Sequence, residues 1–162
     1  MDGVFPTGTG ISRVRAIINI LKQNKGHIGM TELAEESEED VDDLLPQIEA
    51  CKLLGLLVVD DSELRLTDRG EKLTFSNFSK FIRESLASIE PFKSAIKIIS
   101  ENEVQSADLF SGLRSRGIII HGNDATNDML LKRLFLRWGV RSKLFAYNSD
   151  TDAWSVHKST NS

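Results

Sequence analysis

Twice along this chain the hydrophobic rhythm changes from a helical to an extended spacing, each time just after a glycine. Leu44, Leu45, Ile48 and Cys51 recur at the three-to-four-residue interval of a buried helical stripe, and the pattern runs to Gly55. It then gives way to Leu57-Val58-Val59, a polar turn at Asp60-Asp61-Ser62-Glu63, and the alternating Leu64-Arg65-Leu66. The same change follows Leu130, Leu131, Leu134, Phe135 and Trp138. Past Gly139 come Leu144-Phe145-Ala146-Tyr147, a turn at Asn148–Asp152, and Ala153-Trp154-Ser155-Val156. A helix that empties into a hairpin, twice, leaves few architectures open.

Each of these segments is preceded by two more helical patterns. In the first half, Ile11, Val14, Ile17, Ile18 and Leu21 share one face, and Asn24–Gly26 is a stop signal. A short helix over about 31–36 follows, and Ser37-Glu38-Glu39-Asp40 has the form of a capping box opening the third helix, which carries Pro46 inside it. Thr67 is placed to cap a turn at Asp68-Arg69-Gly70. In the second half, Pro91 can open a helix with Phe92, Ala95, Ile96 and Ile99 inward. Ser106 is placed to cap another helix over 106–115, and Ile118-Ile119-Ile120 reads as a short buried strand or extended loop. The expected fold class is mainly α with small β-hairpins: two winged-helix (winged helix-turn-helix) units in tandem, joined by a linker helix. The boundaries read as a flexible arm at 1–10, a first unit at 11–74, the linker at 75–90, a second unit at 91–158 and a disordered tail at 159–162.

Charge divides along the same line. Residues 1–78 hold eight Lys+Arg and fifteen Asp+Glu, a balance of −7, whereas residues 79–162 hold twelve and nine, a balance of +3. The first half should repel phosphate backbones and the second could tolerate them. No apolar run approaches the ~20 residues that span a bilayer, so no membrane insertion is expected. No basic stretch followed by an apolar core opens the chain, and Cys51 is the one cysteine, which points to a reducing cytoplasm.

Three constellations could carry function. Lys132, Arg133, Arg137, Arg141 and Lys143 form a basic strip, with Arg133 and Arg137 four apart on one helical face and Arg141 and Lys143 at the entrance to the hairpin. That strip is either a nucleic-acid contact, with the third helix in the major groove and the hairpin over the backbone, or a solvated helix face. No Asn or Gln stands between the arginines to read bases. The acids Glu35, Glu36, Glu38, Glu39, Asp40, Asp42 and Asp43 surround the start of the first unit's third helix. They either stabilise helix N-termini or, through Glu35, Glu38 and Glu39, offer a surface to a basic protein; in both cases they argue against DNA there. Leu136 and Val140 project away from the buried stripe, as an exposed spot for dimerisation or docking, or as packing under the hairpin or against the linker helix. Phe75 and Phe78 pose the same question, with core favoured. His27, His121, His157 and Cys51 form neither a metal-ligand set nor a catalytic motif, and no phosphate-binding loop is present, so no catalytic residue, metal or cofactor is expected.

Several segments carry a family resemblance. Glu32-Leu33-Ala34-Glu35, Leu44-Leu45-Pro46, Leu53-Leu54-Gly55, Leu66-Thr67-Asp68-Arg69-Gly70 and the long stretch Leu134–Asn148 resemble the AAA-associated C-terminal domain, over roughly residues 5–150. The chain departs from the family pattern at Ser142-Lys143-Leu144, where a basic residue stands in place of an acid. In that family the domain is often fused behind the ATP-binding subunit of nitrate- or sulfonate-type transporters, and it also occurs alone. The resemblance implies a non-enzymatic regulatory or docking module whose partner is a protein, such as a transporter ATPase. The alternative is a DNA-binding regulator that uses the basic second unit, as a dimer on a two-fold site.

Overall fold

A computed structural model describes residues 4–100 and 102–157 of the chain. The chain is mixed α/β and 54% helical, and each expected hairpin has acquired a third strand, giving two small antiparallel sheets. It divides into two compact units, one spanning Phe5–Phe78 and the other taking in Val4 and the chain from Ser79 onward.

In the first unit, α1 (Ile11–Gln23) buries Ile11, Val14, Ile17, Ile18 and Leu21, the whole stripe its spacing implies. Gly26, at φ +90°, turns the chain into β1 (His27–Gly29). Then come α2 (Met30–Ser37), α3 (Val41–Leu53), β2 (Leu57–Asp60) and β3 (Glu63–Leu66). The strand order is β1-β3-β2, with Leu64 facing Ile28 on one side and Val59 on the other. Thr67 caps the short α4 (Asp68–Lys72), its Oγ1 accepting a hydrogen bond from Gly70 N at 3.1 Å.

Three expectations change here. Ser37 does not open α3: it closes α2, its hydroxyl donating to Leu33 O at 2.7 Å, while Glu38 takes a left-handed conformation and Asp40 stands at the start of α3. Leu45 does not face inward and is 48% exposed; Gln47 takes the inner position. The reason is the helical interval itself, since Leu44, Gln47, Ile48 and Cys51 are spaced by three and four, whereas Leu45 falls outside that face. The expected loose arm is packed over residues 5–10. Phe5 is buried, and Gln47 clamps this segment by accepting from Gly10 N at 3.2 Å and donating to Gly8 O at 3.1 Å. A buried amide needs such partners.

In the second unit, α5 (Phe78–Leu86) begins at the boundary and is followed by α6 (Phe92–Ile99), β4 (Val104–Gln105) and α7 (Ser106–Ser115). The chain continues with α8 (Asp124–Leu134), a π-helical segment (Phe135–Val140), β5 (Phe145–Asn148) and β6 (Ala153–Val156), and the strand order is β4-β6-β5. The order helix, strand, helix, helix, strand, strand is thus the same as in the first unit, from α1 to β3 and from α6 to β6. Glu90 caps α6 by accepting from Ser94 N at 2.8 Å and Ser94 Oγ at 2.7 Å. Phe92, Phe110, Phe135, Phe145, Trp138 and Trp154 fill the core.

The segment Ile118–Ile120 is an irregular loop, in which Ile118 is buried and Ile119 is 53% exposed. Asn127, fully buried on α8, holds it there: its Oδ1 accepts from Ile120 N at 2.7 Å and His121 N at 3.1 Å, taking the place of a strand partner. Ser106 is the first residue of α7 rather than its cap. The expected tail at 159–162 lies outside the described residues.

Candidate functional site

The third helix of the second unit is built from two windings. Asn123 starts it, its Oδ1 accepting from Thr126 N at 3.0 Å, and Asn127, Leu131 and Leu134 face inward. The sequence predicts one α-helix to Trp138. From Phe135 to Val140 the ladder instead widens to a π-helix, a form that inserts an extra residue into a turn. Gly139 lies in this stretch, directly against the ring of Phe145, where a Cβ would collide with Phe145 Cδ2. Gly139 is therefore a close-packing glycine and not the turn that starts the hairpin. That turn is made by Lys143, at φ +66°. Ser142 beside it is buried and donates to Gly139 O at 3.3 Å.

The outer face of this helix carries Met129 (51% exposed), Arg133, Leu136 (36% exposed) and Arg137, spaced so that apolar and cationic groups alternate along one ridge. Val140 is half-buried at its end, and Arg141 and Lys143 are exposed beyond it. Met129 was not among the sequence candidates; its position four residues before Arg133 is the signal that would have found it. Arg114 of α7 grips Asp128 through Nη1 at 2.6 and 2.5 Å, which raises the guanidinium above its ordinary range, chiefly through that hydrogen bond. Asp128, next to Met129 in the chain, is thus already paired.

Lys132 stands apart from its neighbours. Its ammonium sits 5.2 Å from the centre of the Tyr147 ring and 3.3 Å from Asp152 Oδ1. Asp152 Oδ1 also accepts from the Tyr147 hydroxyl and from Ser106 Oγ at 2.7 Å, and Ser106 Oγ accepts from the buried Trp154 Nε1 at 2.8 Å. These hydrogen bonds, Tyr147 first and then Ser106, hold the Asp152 carboxyl below the usual carboxylate range; the Tyr147 and Asp152 contacts push Lys132 up. The network links the second hairpin to α7 and α8, and Lys132 is a half-buried member of it.

In the first unit, Glu35 and Glu38 are exposed, whereas Glu39 is half-buried and paired with Arg13. Val41 and Leu45 lie exposed among the acids of α3. His27, His121 and His157 are separate: His27 Nδ1 lies 3.9 Å from Glu63, and His121 Nδ1 accepts from Asn123 N at 3.0 Å. Cys51 is buried, and burial pushes its thiol pKa up, the opposite of what a nucleophile needs. Among the described residues no group of three or more His, Cys, Asp or Glu is placed to hold a metal ion, and no helix is long and apolar enough to cross a membrane.

The chain thus has two helix-rich units, each with a small sheet, and the helix leading into the second hairpin carries an apolar–basic ridge. The chain belongs to the family of C-terminal AAA-associated domains, whose family model matches residues 31–148. That family is an accessory rather than a catalytic one. No curated protein and no solved structure matches.

Proposed function

We propose that this chain is a tandem winged-helix protein that works as a non-enzymatic, cytoplasmic docking and regulatory module for an ATPase, of the kind found in ABC-type transporters. The order helix, strand, helix, helix, strand, strand supports the winged-helix reading, because it ends each unit in a third helix followed by a hairpin. The ridge Met129–Arg133–Leu136–Arg137 carries the functional reading. Apolar side chains left in water beside arginines are the composition of a protein-binding hot spot, and membership of the AAA-associated family supports an ATPase as the partner. Glu35 and Glu38 offer a second, acidic surface to a basic segment of the same partner.

The test is sedimentation of the chain with the purified ATP-binding subunit of a nitrate- or sulfonate-type transporter from the same genome. A complex is expected, and the double variant Met129→Asp, Leu136→Asp weakens it at least about tenfold. A complex indifferent to these changes, or none at all, removes the reading.

The second reading is DNA binding, favoured by the exposure of Arg133, Arg137, Arg141 and Lys143 along one helix and the start of its hairpin. The engagement of Lys132 with Asp152 and Tyr147 takes one cation out of that strip. A labelled duplex titrated at about 50 and about 200 mM salt separates the two readings. Docking predicts no salt-sensitive binding; binding lost in Arg133→Ala, Arg137→Ala would favour the regulator.

A further inference from the structure

A cavity of about 100 Å³ opens in the first unit between α1 and residues 73–78, lined by Arg15, Ile18, Asn19, Lys22, Leu73, Thr74, Phe75 and Phe78. Its chemistry is lopsided. Arg15 and Lys22 bring two cations, and no carboxylate lines the cavity. Lys22 donates to Leu73 O, a neutral acceptor, so its charge is not cancelled there.

Arg15 is the odder of the two. Its guanidinium lies 4.9 Å from the centre of the Phe75 ring and 4.5 Å from that of Phe78. Cation–π contacts of this kind engage the flat face of a guanidinium and leave its N–H edge to find acceptors. Arg15 Nε is buried and has no hydrogen-bond partner among the described residues. A buried donor without an acceptor costs about 1–3 kcal/mol; the terminal nitrogens, not this sealed atom, are the part of the guanidinium that a ligand in the cavity can reach. Phe75, meanwhile, lines the cavity while being 83% exposed, so its ring stands at the opening.

We propose that this cavity binds a small organic carboxylate with an aromatic or short aliphatic body. The two oxygens of a carboxylate match the pair of terminal nitrogens of Arg15, which lines the cavity. The ammonium of Lys22 and the amide of Asn19 line the same space and can take further lone pairs. The walls of Ile18, Leu73, Phe75 and Phe78 take the apolar body, the mixture of apolar lining and few polar groups that small-molecule sites share. The site would make the first unit a sensor of a metabolite acid, independent of whichever macromolecule meets the ridge on the second.

Benzoate is the probe, titrated into the full chain and followed by calorimetry and by amide chemical shifts of residues 73–78. Benzamide serves as its neutral isostere and inorganic phosphate as the alternative anion. Benzoate is expected to bind at millimolar strength or better, shifting the amides of 73–78, and benzamide to bind at least about tenfold more weakly. Arg15→Lys keeps the charge and the stem but loses the fork, and is expected to weaken benzoate about tenfold. Phe75→Ala, at a ring already in water, is expected to weaken it about threefold while the melting temperature without ligand stays within a few degrees. Equal binding of benzoate and benzamide, binding of phosphate with benzoate inert, an unchanged Arg15→Lys, or no shift at about 20 mM benzoate would each overturn the site.

Discussion

The two units run through the same succession of elements with different materials. The first has an aliphatic core of Ile, Leu and Val with Phe5, and an acidic outer surface; the second has an aromatic core and a basic third helix. The hydrogen bonds that leave the third helix align the units residue by residue. In the first, Gly55 N bonds Lys52 O at 2.9 Å and Leu56 N bonds Cys51 O at 2.9 Å; in the second, Lys143 N bonds Val140 O at 3.0 Å and Leu144 N bonds Gly139 O at 2.8 Å. Lys143 therefore corresponds to Gly55, and Gly139 to Cys51. By this alignment Phe145 corresponds to Leu57, so the ring that lies against Gly139 stands where the first unit has a smaller leucine, with a cysteine at the aligned helix position; a larger ring on the strand requires nothing on the helix. One backbone path thus tolerates two packings provided the volumes compensate.

The largest test of this correspondence is Gly139→Cys, which places the first unit's side chain in the second. Loss of roughly 3 kcal/mol in urea denaturation is expected, because the new Cβ meets the buried Phe145 ring. Adding Phe145→Leu should recover more than about 1 kcal/mol of it. A loss without recovery would break the equivalence.

Next in size is Asp152→Asn, which keeps a residue tolerant of φ +52° and removes the charge that Tyr147, Ser106 and Lys132 address. A cost of about 1 kcal/mol at neutral pH is expected, modest because the carboxylate is half in solvent. Since folding depresses the Asp152 pKa, its contribution is complete above about pH 4 and disappears as pH falls through the lowered value. Melting temperatures of the variant and the parent should therefore converge in acid. A gap that stays constant down to about pH 2 would mean that the charge is not the cause.

A pair of turn variants sharpens the comparison. Lys143→Gly should raise stability by about 0.5–1 kcal/mol by relieving a left-handed lysine, and Gly55→Lys should lower it by about 1–2 kcal/mol. Opposite signs would mark the two positions as one turn; a neutral Gly55→Lys would separate them.

Much of this was readable from the residues. The hairpins at 57–66 and 145–156 announce themselves because an alternating pattern follows a helical one across polar turns. The third strands do not: β1 has three residues and β4 two, too short for any alternation, and both exist because a partner strand recruits them, His27 against Arg65 and Val104 against Trp154. Gly55 and Gly139 look alike as punctuation, yet one supplies a positive φ and the other an absent side chain, and only packing tells these apart. Of the candidate ridge, Arg133, Leu136 and Arg137 follow from helical spacing. The engagement of Lys132 is not legible in that spacing, because its partner, Asp152, is brought to it only by the closing of the second hairpin.

The outer strand of the first sheet has a practical bearing. β2 is a sheet edge, and it leaves Val58 and Val59 50% and 37% exposed, with Asp60 and Asp61 directly after them. An uncovered β-branched border is a template on which further chains can crystallise into ribbons, and the paired aspartates act as its gatekeepers by mutual repulsion. Salt screens that repulsion, so concentrated, salt-rich storage is where clumping should begin, and a lysine at Val58 is the simplest way to prevent it.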